Sequence, residues 1–171
     1  MHVLIAVIGS SEGSRDALDA AFETGREIME SGYTLICGGM GGVMEAACRG
    51  AHSVVGEGTG RIIGIIPGSD KNTANPFADI VIATGIGYAR NSIIASAADA
   101  VIAVSGGSGT LSEISFAWQY GKPIVIIRGL PGITETLIGR ALDDRRGDAI
   151  LGADDPEHAL ALIREILPRA S

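Results

Sequence analysis

Three features of the sequence could carry chemistry. They are a glycine-rich turn, Ser105-Gly106-Gly107-Ser108-Gly109-Thr110, a glutamate just beyond it, Glu113, and an arginine, Arg90. An apolar run over residues 99–104 enters the turn, and helix-like spacing leaves it. A strand, a tight turn and a helix N-terminus aim unpaired backbone N–H groups and a positive dipole end at one point, which suits an anion. Glycine lets the backbone come close to a ligand there. Two roles are open to Glu113. Thr110-x-x-Glu113 matches a capping box, in which the acid only steadies the helix start. Alternatively, the carboxylate stands at the rim of the anion pocket, as a base or as a stabiliser of positive charge. Arg90 follows Gly85 and Gly87 and opens a predicted helix, where a cation opposes the dipole. Its presence there implies a nearby anion or carboxylate. Asn91 can cap that helix or touch the same ligand.

Further glycine turns stand at Gly9-Ser10-Ser11, at Gly38-Gly39-Met40-Gly41-Gly42 and at Gly85-Ile86-Gly87. Neither the turn at 38–42 nor that at 106–109 fits G-x-G-x-x-G or a P-loop with its Lys-Ser/Thr. A single phosphate on a small ligand is therefore expected, rather than a dinucleotide or a triphosphate. The candidate binding set is Gly9, Ser10, Ser11, Gly38, Gly39, Gly41, Gly42, Asn91, Gly106, Gly107, Ser108, Gly109 and Thr110. Other chemistries lack their residues. His2, His52 and His158 are spread along the chain, so no metal cluster is expected. No G-x-S-x-G elbow offers a nucleophile. The lysines are Lys71, in a predicted loop, and Lys122, at the amino end of a predicted strand, so a pyridoxal phosphate Schiff base has no candidate. Cys37 and Cys48 form no metal or redox motif, and Cys37 ends an apolar run that belongs in the core.

The chain of 171 residues is 46% apolar and 19% charged, which fits one domain over 1–171 with a substantial core. Thirteen basic residues stand against 20 acidic ones, a net charge of −7. The cations are scattered, so nucleic acid is not an expected partner. No apolar run approaches the ~18 residues of a membrane span. The opening Met-His-Val-Leu-Ile-Ala-Val-Ile-Gly has no basic region before it and reads as a buried strand, not a signal peptide. A cytoplasmic location is the expectation.

Strands are predicted at 2–8, 33–37, 61–66, 79–83, 99–104 and 124–127, with a short edge strand at 149–151. The first helix starts at a Ser14 cap, buries Leu18, Ala21, Phe22, Gly25, Ile28 and Met29, and ends at Gly32. Helices follow at 43–52, 88–98, 111–120 and 134–142. The last is capped by Asp155 with Pro156 at its first position, and its buried stripe is Ala159, Leu162, Ile163, Ile166 and Leu167. Residues 56–60 read as a turn, 69–77 as a surface loop that could close as a lid, and 143–148 as a charged turn. The alternation implies a three-layer α/β Rossmann-like fold, a mostly parallel sheet with helices on both faces. All the glycine turns then share the carboxyl edge, where such sheets bind ligands. The helix at 88–98 and the helix carrying Phe116 and Trp118 have little polar face, so they are expected to be buried in the core or against another subunit, and a homodimer or higher homo-oligomer is the expectation.

Gly38-Gly39-Met40-Gly41-Gly42-Val43-Met44-Glu45-Ala46-Ala47 resembles the G-G-x-x-G-x-M segment of the LOG (LONELY GUY) superfamily. Ser105 to Glu113 resembles its P-G-G-x-G-T-x-x-E motif. The resemblance runs from the first strand to about Ile127. It implies a Rossmann-like dimer and phosphoribohydrolase activity, the release of a purine base from a nucleoside 5′-monophosphate such as a cytokinin riboside monophosphate. Arg90 and Glu113 stand at the catalytic positions, and no cofactor is required. Two positions depart from the enzymes, which carry Arg-Lys where this chain has Arg90-Asn91, and Pro where it has Ser105. The Gly-x-x-Arg-Asn form looks more like the branch that includes the molybdenum cofactor carrier protein and uncharacterised bacterial relatives; those carriers bind a pterin phosphate and need no turnover. The implied partner is thus a nucleoside monophosphate to cleave or a molybdenum cofactor to carry.

Overall fold

Seven short strands rich in Ile, Val and Ala form one sheet. The computed structural model describes residues 3–55 and 61–167, so His2 and the turn expected at 56–60 lie outside the described residues. The strands are β1 (Leu4–Gly9), β2 (Thr34–Cys37), β3 (Ile62–Ile66), β4 (Ile80–Ala83), β5 (Ala100–Val104), β6 (Ile124–Ile127) and β7 (Leu151–Ala153). Their order is β4-β3-β2-β1-β5-β6-β7, and every pairing is parallel. The absence of polar alternation in β1, β2, β5 and β6 follows from burial on both faces. Helices α1 (Arg15–Glu30), α2 (Val43–Val55) and α5 (Pro156–Ile166) cover one face, and α3 (Arg90–Ala97) and α4 (Ser108–Gln119) cover the other. Each face has its own apolar core, one around Ile28, Leu35 and Leu160, the other around Ile94, Ile114 and Trp118.

The chain builds from β1 outward to β4 on one side, then returns to lay β5 on β1's other side. The sheet therefore has its switch point between β1 and β5, and the loops leaving them diverge to opposite faces and open a crevice. Gly9 ends β1 directly beside Val104 at the end of β5.

Local signals set several boundaries. Ser14 Oγ accepts the Ala17 N–H at 3.3 Å, and Gly32, at φ +78°, ends α1. Gly25 and Gly50 allow α1 and α2 to touch backbone to backbone. A Cβ on Gly25 would strike the Ala47 carbonyl, and one on Gly50 the Phe22 carbonyl. At α5, Asp155 Oδ1 accepts the His158 N–H at 2.8 Å, with Pro156 at the first helical position.

Other expectations are corrected. No α-helix fills 134–142. A 3-10 turn at Ile133–Leu137 ends before Gly139, whose φ is +76° and whose N–H donates to the Ile150 carbonyl. That return contact delays β7 to residue 151. In α5 the buried residues are Ala159, Leu160 and Ile163, while Ile166 is exposed, so the helix is rotated from the expected stripe. In α1, Ala17 and Thr24 are buried, and Leu18 and Phe22 only partly so. The loop at 69–77 is tethered rather than free. Asn75 is buried, its N–H donates to the Gly39 carbonyl at 2.8 Å and its Nδ2 to the Met40 carbonyl at 3.2 Å. The charged turn at 143–148 is also held. Trp118 Nε1 donates to Asp143 at 2.8 Å, and the Arg146 guanidinium lies 4.5 Å above the Trp118 ring. Cys37 and Cys48, eleven residues apart in sequence, bring their buried Sγ atoms to 3.4 Å. Among the described residues, no helix is long and apolar enough to cross a membrane.

Candidate functional site

α4 begins at Ser108, earlier than the glycine content suggests. Thr110 therefore lies inside the first turn, and the N-cap is Gly107, which has no side chain to accept a hydrogen bond. Of the two roles open to Glu113, the capping box with Thr110 does not form. The first-turn N–H groups of α4 are left without a side-chain acceptor, at the carboxyl edge of the sheet. The turn before them is rigid. Ser105 sits in the left-handed region at φ +60°, and its Oγ donates to the Pro131 carbonyl. Gly106 pairs with Gly132, and its carbonyl accepts the Ile133 N–H at 3.0 Å. Proline, which the LOG motif places at this position, is locked near φ −65° and could not take this conformation. The departure at Ser105 therefore changes the backbone, not only the side chain.

Glu113 turns instead to Arg90. Nη1 of Arg90 donates to Glu113 Oε1 at 2.9 Å and to Asn91 Oδ1 at 2.6 Å. Asn91 Nδ2 donates to Ser112 Oγ at 2.8 Å, which ties α3 to α4. All three side chains are buried, with Arg90 7% exposed and Glu113 6%. The cation at a helix start thus has the carboxylate partner that its position implies. Arg90 Nε is buried without a hydrogen-bond partner among the described residues. Gly38 makes room for this arginine, since a Cβ there would strike its guanidinium and the Met44 sulfur. Burial pushes the Glu113 carboxyl up to about 7, against the opposing pull of the Arg90 charge and hydrogen bond. Near neutral pH the group is present both as acid and as base.

These groups open onto a cavity of about 510 Å³, within the range of small-molecule sites. Gly9, Ser10 and Ser11 line it at the end of β1 and beyond, Arg90 and Asn91 from α3, and Gly107 with Ser108, Gly109, Thr110 and Glu113 from the start of α4 and its cap. Gly38, Gly39, Gly41, Gly42 and Gly106 are not part of the wall. Gly38 lies behind it under Arg90, and Gly106 is paired to Gly132. Three lining residues escape the sequence reading: Met44, Tyr88 and Ser112. Tyr88 belongs to a 3-10 turn (Gly87–Ala89) rather than to α3, and it is exposed on this chain rather than buried in its core. Its place two residues before Arg90, just after Gly87, was the available signal. Among the described residues, no group of three or more His, Cys, Asp or Glu is placed to hold a metal ion.

Comparisons with known proteins agree with this architecture. An uncharacterized protein of Archaeoglobus fulgidus is 46% identical over 132 residues, covering 74% of this chain and 84% of that one. The cytokinin riboside 5′-monophosphate phosphoribohydrolase LOG of Oryza sativa subsp. japonica is 35% identical over 111 residues, covering 62% of this chain and 44% of the rice protein. The chain thus spans less than half the length of that enzyme. Among solved structures, the molybdenum cofactor binding protein of Rippkaea orientalis superposes with a TM-score of 0.86 at 32% identity, covering 98% of this chain and 99% of that one. The molybdenum cofactor carrier protein of Chlamydomonas reinhardtii gives a TM-score of 0.82 at 30% identity, covering 96% and 98%. A family model, that of the SLOG cluster4 family, matches residues 2–160, and the chain belongs to that LOG-like family.

Proposed function

We propose that the cavity binds a nucleoside 5′-monophosphate and that the chain is a phosphoribohydrolase. One observation carries the reading: a buried Arg90–Glu113 pair stands beside a helix N-terminus that no side chain caps. The amides of Ser108, Gly109 and Thr110 take the phosphate. Glu113, with its proton affinity near neutrality, removes a proton from water. The water oxygen adds to the anomeric carbon as the bond to the base nitrogen breaks. The proton held by Glu113 passes to the departing base, so water and the nucleotide become free base and ribose 5-phosphate. Arg90 positions the carboxylate and offsets its charge. The relatives named as cytokinin riboside 5′-monophosphate phosphoribohydrolases support this reading.

A second reading is a molybdenum cofactor carrier, which would use the same amides for a pterin phosphate and need no turnover. The near end-to-end match to molybdenum cofactor proteins favours it, as does Asn91, whose bonds to Arg90 and Ser112 are structural. We also propose a cytoplasmic location, which either reading allows. We further propose a homodimer, because edge strand β4 leaves Ile80 and Ile82 exposed on one face.

Incubation with purine nucleoside monophosphates separates the readings. The enzyme releases free base, and Glu113→Gln lowers that rate about a hundredfold or more. Tight binding of a pterin phosphate with no base released would replace the hydrolase by the carrier.

A further inference from the structure

The roles proposed above account for most of the cavity wall. Amides near Gly107 suit the phosphate, and the Arg90–Glu113 pair suits the sugar. Tyr88 has no part in either. It is the one aromatic residue among the cavity's lining residues. At 85% exposed, it is the most exposed of the large hydrophobic residues described. Among the described residues its hydroxyl has no hydrogen-bond partner.

The backbone beneath the ring is fixed. The Gly85 N–H donates to the Gly68 carbonyl and the Gly87 N–H to the Pro67 carbonyl, each at 3.0 Å. Gly87, at φ +61°, turns the chain so that Tyr88 leaves it at the cavity mouth while Arg90 enters the floor. An aromatic face held over a pocket and left wet forgoes the burial that usually justifies such a residue. Met44, a polarizable and adaptable side chain, is the other apolar group of the wall.

We propose that Tyr88 is a specificity-determining residue. It stacks on a planar, fused-ring nitrogen heterocycle carried by the phosphorylated ligand, so the site selects ring-bearing phosphates over bare sugar phosphates. The proposal rests on the reading that the cavity takes a phosphorylated ligand. A purine and a pterin share the necessary chemistry.

Calorimetric titration of the full chain with three probes tests it. The probes are ribose 5-phosphate, a C-nucleoside analogue of AMP that cannot be hydrolysed, and a pterin monophosphate. The unmodified protein should bind at least one ring-bearing probe more tightly than ribose 5-phosphate. Tyr88→Ala should weaken that probe about tenfold and leave ribose 5-phosphate within about twofold. Tyr88→Phe, which keeps the ring, should restore the affinity. The probe whose affinity falls identifies the ring as purine or pterin. Equal loss for all probes in Tyr88→Ala, no loss, or no rescue by Tyr88→Phe would overturn the stacking role. If the unmodified protein binds ribose 5-phosphate as tightly as the ring-bearing probes, the phosphate pocket stands and the role of Tyr88 falls. If it binds none of the three, both fall together.

Discussion

Two kinds of helix start occur at the same edge of the sheet. α1 and α5 close their own N-termini, with Ser14 and Asp155 accepting first-turn N–H groups. Their first-turn acids, Asp16 and Glu157, are exposed. α4 starts on Gly107 with no cap, and its acid, Glu113, is buried against an arginine from another helix. The capped helices satisfy themselves and carry stability. The uncapped one holds unspent donors and a carboxyl kept from its ordinary state. Local chemistry that would stabilise α4 has been withheld at the place where a ligand can supply it.

The strongest way to break this contrast is to cap α4. Nothing lies within 4 Å of a Cβ built on Gly107, and its backbone, at φ −111° and ψ −144°, lies outside the left-handed region, though turned from the extended ψ of the Ser14 and Asp155 caps. Gly107→Asp should therefore fold, with its stability in a thermal melt changed by no more than about 0.5 kcal/mol, because glycine is itself a tolerated cap. Its carboxylate would occupy and repel at the anion position, so affinity for ribose 5-phosphate should fall about a hundredfold. Unchanged affinity would remove the phosphate from this helix end.

The second test concerns Glu113. Base release should fall about tenfold per pH unit below about 7, where Glu113 becomes protonated, and level off above it. Stability should run the other way. The folded pKa is raised, so between about 4.5 and about 7 the native state holds a proton that the unfolded chain has lost. Stability therefore falls as pH rises through that window. Glu113→Gln should flatten this slope in urea melts taken at pH 5 and pH 8.

Ser14→Ala removes one cap from α1 and should cost about 1 kcal/mol in a thermal melt while leaving ligand affinity unchanged. A large loss of affinity would tie the α1 start to the site as well.

What could be read from the sequence divides along the same line. The caps at Ser14 and Asp155, the end at Gly32 and the parallel sheet were legible, because each depends on neighbours in sequence or on uniform burial. The Thr110–Glu113 capping box was misleading for a physical reason. Arg90, 23 residues away, competes for the carboxylate and wins it. The missing helix at 134–142 has the same origin, since Gly139 is held by Ile150 and not by its own turn. The glycines at 38–42 signalled a close approach, but at Gly38 the approaching group is the arginine. Tyr88 was hidden by its apolar character, which reads as core when the turn that displays it is not yet known.

The glycine seam between α1 and α2 has a mechanical consequence. The two helices meet with no side chain between them at Gly25 and Gly50, and the Val43 N–H is bound to the Ser10 carbonyl at 3.0 Å. One jaw of the cleft, from Ser10 through the shelf beneath Arg90, is consequently braced by backbone contacts. On the other side the backbone under Tyr88 is held as well, by Gly85 and Gly87, so the shape of the cleft is set before a guest arrives and only exposed side chains such as Tyr88 are left to adjust.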